Sequence, residues 1–179
     1  PDGVSFKARN AHPQSEFLTS TDERFRPVHL ADGPDGALYV VDFYRGLIQH
    51  RIYLTTYLRN QILDRNLHQP IGLGRIYRIV PDTQPPRTPP DLAAASPAHW
   101  VATLSHPNGW HRDTAQRLLV DTYAADTADA LRQVVAAGPT PVGRLHALWT
   151  LEGLRQLTDP VILTALRDTQ GGLAGFAKI

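Results

Sequence analysis

Two guanidinium groups flank an aromatic ring in Arg24-Phe25-Arg26-Pro27. Successive side chains of an extended strand point to opposite faces, so this spacing sends both arginines to one side and Phe25 to the other. Paired guanidinia so placed can hold a polycarboxylate or a phosphate through bidentate hydrogen bonds. Arg24 and Arg26 are the candidate ligand-binding residues. Spacing alone favours a plainer reading, a surface pair bonded to Asp22, Glu23 or neighbouring carbonyls.

The eight histidines raise the question of a metal. His106 and His111 are close in sequence, but Pro107-Asn108-Gly109 interrupts the helix that would align them. His29, His50 and His68 have no ligand-like spacing, and His146 sits among Leu145 and Leu148 as a packing or interface residue. A metal site needs converging ligands, so a structural or solvent role is the expectation for each. Asp32-Gly33-Pro34-Asp35-Gly36 carries two carboxylates but lacks the alternating ligands and terminal Glu of a calcium loop. It reads as a hairpin turn. No G-x-S-x-G, H-E-x-x-H or phosphate-loop pattern is present, which leaves hydrolase and nucleotide readings without a motif.

The elements that would position these residues change in texture along the chain. Before a Pro-rich stretch the texture is β, with strands expected at 16–20, 28–32, 37–42 and 74–80. The last alternates Ile76, Arg78 and Val80 against Tyr77 and Ile79. Residues 43–73 interrupt the strands, and apolar residues at three- and four-residue steps predict a helix over 54–64 within them. Residues 81–95 read as a linker, because clustered prolines remove backbone donors and favour extended chain. From residue 96 the texture is helical. Ser96-Pro97, Asn108, Asp126-Thr127, Thr140-Pro141 and Asp159-Pro160 mark helix starts. A step of 32 residues maps Pro107 on Pro139, Arg112 on Arg144, Ala115 on Ala147, Leu119 on Leu151 and Leu131 on Leu163. That is the pattern of stacked helical hairpins, with Trp100, Leu104, Leu118, Leu119, Leu145, Leu148 and Leu151 as the expected core.

Composition narrows the classes. The chain has 179 residues, with 18 basic against 17 acidic side chains and a formal charge of +1, so bulk charge gives a nucleic-acid role no support. No apolar run approaches the roughly 20 residues of a membrane helix. Cysteine is absent, which removes disulfides and any C-x-x-C-H haem attachment from this chain. With no methionine, and with Pro1 and Ile179 at its ends, the sequence reads as an internal piece of a longer protein.

Phe25-Arg26-Pro27-Val28-His29-Leu30, Gly33 to Tyr44 and Gly74-Arg75-Ile76-Tyr77-Arg78-Ile79 together resemble the end of a six-bladed β-propeller of the glucose/sorbosone dehydrogenase-like proteins. The relatives in question are large exported bacterial "membrane-bound dehydrogenase" proteins. Leu104 to Leu119 is similar to the first HEAT-like helical repeat that follows such propellers, so the resemblance covers about residues 2 to 122. It implies a mixed fold, β then α. A terminal antiparallel propeller blade with a helical insertion (1–80) would be followed by the linker (81–95) and HEAT-like helices (96–179). Related quinoproteins hold pyrroloquinoline quinone (PQQ) through an Arg-aromatic-Arg segment, which implies cofactor-binding roles for Arg24 and Arg26, with Arg26 the better match. The family's catalytic histidine and calcium ligands match no position here and would lie upstream. A c-type haem domain or cytochrome as redox partner, and a periplasmic or otherwise exported setting, are further implications.

Two functions follow as expectations. One is a piece of a quinoprotein-type oxidoreductase acting on a sugar or alcohol and inactive by itself. The other is a non-catalytic module binding protein or glycan.

Overall fold

The structure, a computed structural model, describes residues 8–83 and 88–168. It divides into two compact units, residues 10–87 and a helical unit from residue 88 onward, with which residues 8 and 9 are grouped.

The first unit is built on a three-stranded antiparallel sheet in the order β1 (Pro27–Asp32), β2 (Leu38–Asp42), β3 (Arg75–Ile79). Leu30 pairs with Val40 and Val40 with Tyr77, while Asp42 pairs with Arg75. A bulge lies between Pro27 and His29. The β1–β2 turn closes as its sequence predicts. Gly33 N donates to Ala37 O at 2.9 Å, Asp35 Oδ1 accepts from Ala37 N at 3.0 Å, and Gly36 takes φ +81°, where a side chain would be strained. Residues 43–73 hold α1 (Thr56–Asp64), whose N-cap Thr55 accepts from Leu58 N at 3.2 Å.

The expected propeller blade is not there. Among the described residues the fold is mixed α/β, with one open three-stranded sheet and six α-helices, and β1 and β3 each pair with β2 on one edge only. The fourth strand expected at 16–20 is instead a run of bends with exposed side chains, Phe17 at 63% exposure among them. Without it, β1 keeps a row of unpaired backbone groups in water.

The second unit contains α2 (Pro97–Thr103), α3 (Gly109–Asp121), α4 (Ala128–Ala137), α5 (Pro141–Gly153) and α6 (Asp159–Leu166). Ser96, Asn108 and Thr140 cap α2, α3 and α5 by accepting from backbone N–H groups in the first turn. The start expected at Asp126-Thr127 is a 3-10 turn, Ala125–Thr127, ahead of α4. Trp100, Leu104, Leu119, Leu148 and Leu151 are buried in one core, with Leu118 and Leu145 half-buried at its margin. That core also takes Leu92, whose carbonyl accepts from Trp100 Nε1 at 2.7 Å, so residues after the proline cluster belong to the helical unit.

The step of 32 is visible between α3 and α5. Both have 13 residues, and Arg112 and Arg144 each donate to the carbonyl six residues earlier, His106 O at 2.7 Å and Gly138 O at 2.9 Å. Both helices are followed by a left-handed residue, Tyr123 (φ +50°) and Arg155 (φ +56°). The equivalence stops there. Leu131 is fully buried while Leu163 is 51% exposed, and α2, α4 and α6 have 7, 10 and 8 residues. The described helices are thus unequal in length and pack around one core.

Candidate functional site

The Arg24–Arg26 segment runs into β1 and is held from below by Asp42, the last residue of β2. Strand alternation puts Val40 and Asp42 on one face, and both are buried, at 1% and 0% exposure. A buried carboxylate needs donors on every side. Asp42 Oδ1 accepts from Arg26 N at 2.7 Å and from Tyr44 N at 2.8 Å; Oδ2 accepts from Arg75 Nε at 2.9 Å. Arg75 Nη2 lies 2.7 Å from the same oxygen but off the hydrogen-bond direction, so that buried nitrogen is held by charge alone. Burial by itself would raise the Asp42 pKa. The Arg26 amide, the Arg75 guanidinium and the Tyr44 amide outweigh it and hold the carboxyl below the ordinary aspartate range.

Arg75 is itself sandwiched. Its guanidinium lies 3.9 Å from the Tyr44 ring centre and 5.3 Å from that of Tyr77, within cation–π range. Asp22 Oδ2 approaches it at 3.5 Å, and Phe25 meets Tyr77 edge-on at 6.0 Å between ring centres. Tyr44 adopts φ +48°, a strained conformation for a tyrosine that the Asp42 bond to its amide helps to hold.

The two arginines singled out by spacing have unequal roles. Arg24 donates from Nε to Gln69 O at 3.1 Å and from Nη2 to Asn66 O and Gln69 O at 2.9 and 3.0 Å. Its fork is occupied by backbone, and it ties the chain at 66–69 to the start of β1. Arg26 Nη1 donates to Phe25 O at 2.8 Å, whereas Nη2 reaches Gly46 O only at 3.5 Å and Nε has no partner among the described residues. The Nε–Nη2 edge of Arg26 is thus the edge that could receive an anion at little cost.

Residues 1–83 match the family model of a domain of unknown function, DUF7133. The match takes in the arginine–tyrosine cluster whole and ends before α2. No curated protein and no solved structure matches the chain.

Elsewhere the histidines do not converge. The His106 and His111 ring centres lie 4.1 Å apart with the planes tilted by 34°, yet among the described residues no group of three or more His, Asp or Glu side chains is placed to hold a metal ion. Among them, too, no helix is long and apolar enough to cross a membrane. The residues that spacing missed are Asp42, Tyr44, Arg75 and Tyr77. Strand alternation puts Asp42 on the face of Val40 and Arg75 on the face of Tyr77, but only the β2–β3 register brings the two charges together. A buried charge demands a partner across the strand pair.

Proposed function

We propose that this chain is a binding, non-catalytic part of a longer quinoprotein-type dehydrogenase acting on a sugar or alcohol. In this reading Arg26 helps to hold a carboxylate of the quinone cofactor. The observation that carries it is the state of Arg26: backbone fixed by Asp42, Nη1 braced on Phe25 O, and the Nε–Nη2 edge engaged only by one 3.5 Å contact. A pre-oriented guanidinium loses little entropy on binding an anion.

The fit to PQQ is to one carboxylate, not to a two-arginine clamp, because the Arg24 fork is closed by Gln69 and Asn66. Arg24 instead positions the loop beside Arg26. When bound, the quinone would supply the two-electron acceptor. The residues here orient it and no more. Asp42 is a poor general base, since it is saturated with donors and its pKa lies below the usual carboxylate range, far from neutrality. A base, calcium ligands, a c-type haem partner and an exported setting belong to the same reading, on the strength of the sequence resemblance.

A second reading, docking of protein or glycan, draws on residues 48–57, where Ile52, Tyr53 and Tyr57 are 74%, 77% and 74% exposed. Aromatic rings on an exposed segment suit such contacts. One experiment separates the readings. Calorimetry and dye reduction on this chain with PQQ, Ca²⁺ and a panel of sugars and alcohols should give no turnover and at most weak cofactor binding. Turnover by the chain alone would overturn the non-catalytic assignment. Tight glycan binding that survives Arg26→Ala would favour the second reading.

A further inference from the structure

His146 of α5 is a partly buried titratable group, its side chain 15% exposed, that the reading above does not use. It faces α3. Its Nδ1 lies 2.7 Å from Gln116 Oε1, and its Nε2 accepts from Arg112 Nε at 3.3 Å. These contacts fit one state, the neutral imidazole with its proton on Nδ1, because Nε2 must offer a lone pair to a guanidinium. Arg112 is anchored from the other side by His106 O and Pro107 O at 2.7 and 2.9 Å and so cannot easily swing away. The repeat sharpens the contrast. Arg144, the counterpart of Arg112 one step of 32 later, is met by a carboxylate, with Asp168 Oδ2 at 2.7 Å from Nε. Where one unit places an anion beside its arginine, the other places a group that becomes a cation in acid.

We propose that His146 is a pH-responsive latch between α3 and α5, closed while the imidazole is neutral and loosened when it is protonated. Protonation converts Nε2 from acceptor to donor, ends the Arg112 bond and sets two cations side by side. The charged groups that bear on the ring are Arg112 and Asp113, both from α3. Asp113 Oδ1 is 3.9 Å away and largely in solvent, so it opposes the effect weakly. Burial first, then Arg112, lowers the His146 pKa below the ordinary value, and Asp113 restores only part of the shift. A histidine whose folded pKa is depressed contributes stability that is complete above the unfolded pKa of about 6.5 and is lost as pH falls below it. Gly153, which approaches Val120 Cγ2 within 2.8 Å of where a Cβ would stand, shows how closely the two helices lie at the far end of the same contact.

The test uses the 179-residue chain. Imidazole resonances are followed by NMR between pH 7.5 and 5, together with amide exchange in α3 and α5 corrected for intrinsic rates. Exchange at amides such as Leu148 and Leu151 should accelerate about 3- to 10-fold toward pH 5, in step with His146 protonation. His146→Gln should abolish that component. Arg112→Gln, which keeps the histidine, should raise the His146 midpoint and shrink the acceleration. Asp113→Asn should lower the midpoint. An identical pH profile in the parent chain and both His146→Gln and Arg112→Gln would overturn the latch. So would a His146 midpoint at or above 6.5.

Discussion

Replacing Asp42 by alanine should loosen the whole arginine–tyrosine cluster. The substitution strands two backbone donors, Arg26 N and Tyr44 N, that now bond Oδ1 at 2.7 and 2.8 Å. Each orphaned amide in a half-buried position costs about 1–2 kcal/mol, giving roughly 2–4 kcal/mol before any contribution from Arg75. The lost ion pair adds less, because the Arg75 side chain is 35% exposed and water screens it. Against a typical domain stability of about 5–15 kcal/mol this is a large fraction. Asp42→Asn should lose less than half as much, since its amide oxygen can keep both N–H bonds while its NH₂ confronts the guanidinium. Urea unfolding followed by far-UV circular dichroism gives the stabilities, and amide exchange at Arg26 and Tyr44 gives the local effect. All three tryptophans, Trp100, Trp110 and Trp149, lie in the helical unit, so their fluorescence supplies a separate reference. An Asp42→Ala protein that loses under about 1 kcal/mol, with unchanged exchange at both amides, would refute the assignment of Asp42 as the hub.

Three further outcomes are expected. Leu119→Ala should cost about 2–5 kcal/mol by chemical denaturation, since the side chain is fully buried in the helical core; an unchanged midpoint would mean the core is drawn wrongly. Gly153→Ala should be destabilising by about 1–3 kcal/mol, because the new methyl would stand 2.8 Å from Val120 Cγ2 and force α3 and α5 apart. Acid should spare the sheet until the pH falls below the ordinary aspartate value of 3.8, since a carboxylate with a depressed folded pKa stabilises above that value and loses its contribution as it protonates. Loss of sheet signal already at pH 5, and its persistence in Asp42→Asn, would place the sensitivity elsewhere.

Local signals carried the elements well where chemistry acts locally. Ser96-Pro97, Asn108 and Thr140-Pro141 cap helices because their side chains reach N–H groups two or three residues on, a property of the sequence alone. Gly33 to Gly36 turns for the same kind of reason. Residues 16–20 show the limit. Phe17 and Leu18 have strand-like character, but a strand exists only when a neighbour pairs with it, and no short window reports the neighbour. The arginine pair was legible as a pair and illegible as a site. Arg24 is closed by Gln69 O and Asn66 O, more than 40 residues away, and Arg26 is aimed by Asp42 across the sheet. Asp42 and Arg75 register only once β2 and β3 are aligned, a long-range fact set by the sheet.

Cofactor titration of the longer protein proposed above, with Arg26→Ala and Arg24→Ala compared side by side, tests the account most directly. Loss of a charge-assisted bond worth about 1.5–3 kcal/mol should weaken PQQ binding about 10- to 100-fold in Arg26→Ala. Arg24→Ala should weaken it by less than about 5-fold, while lowering stability through release of residues 66–69. An Arg26→Ala protein that holds the quinone as tightly as its parent would contradict the account.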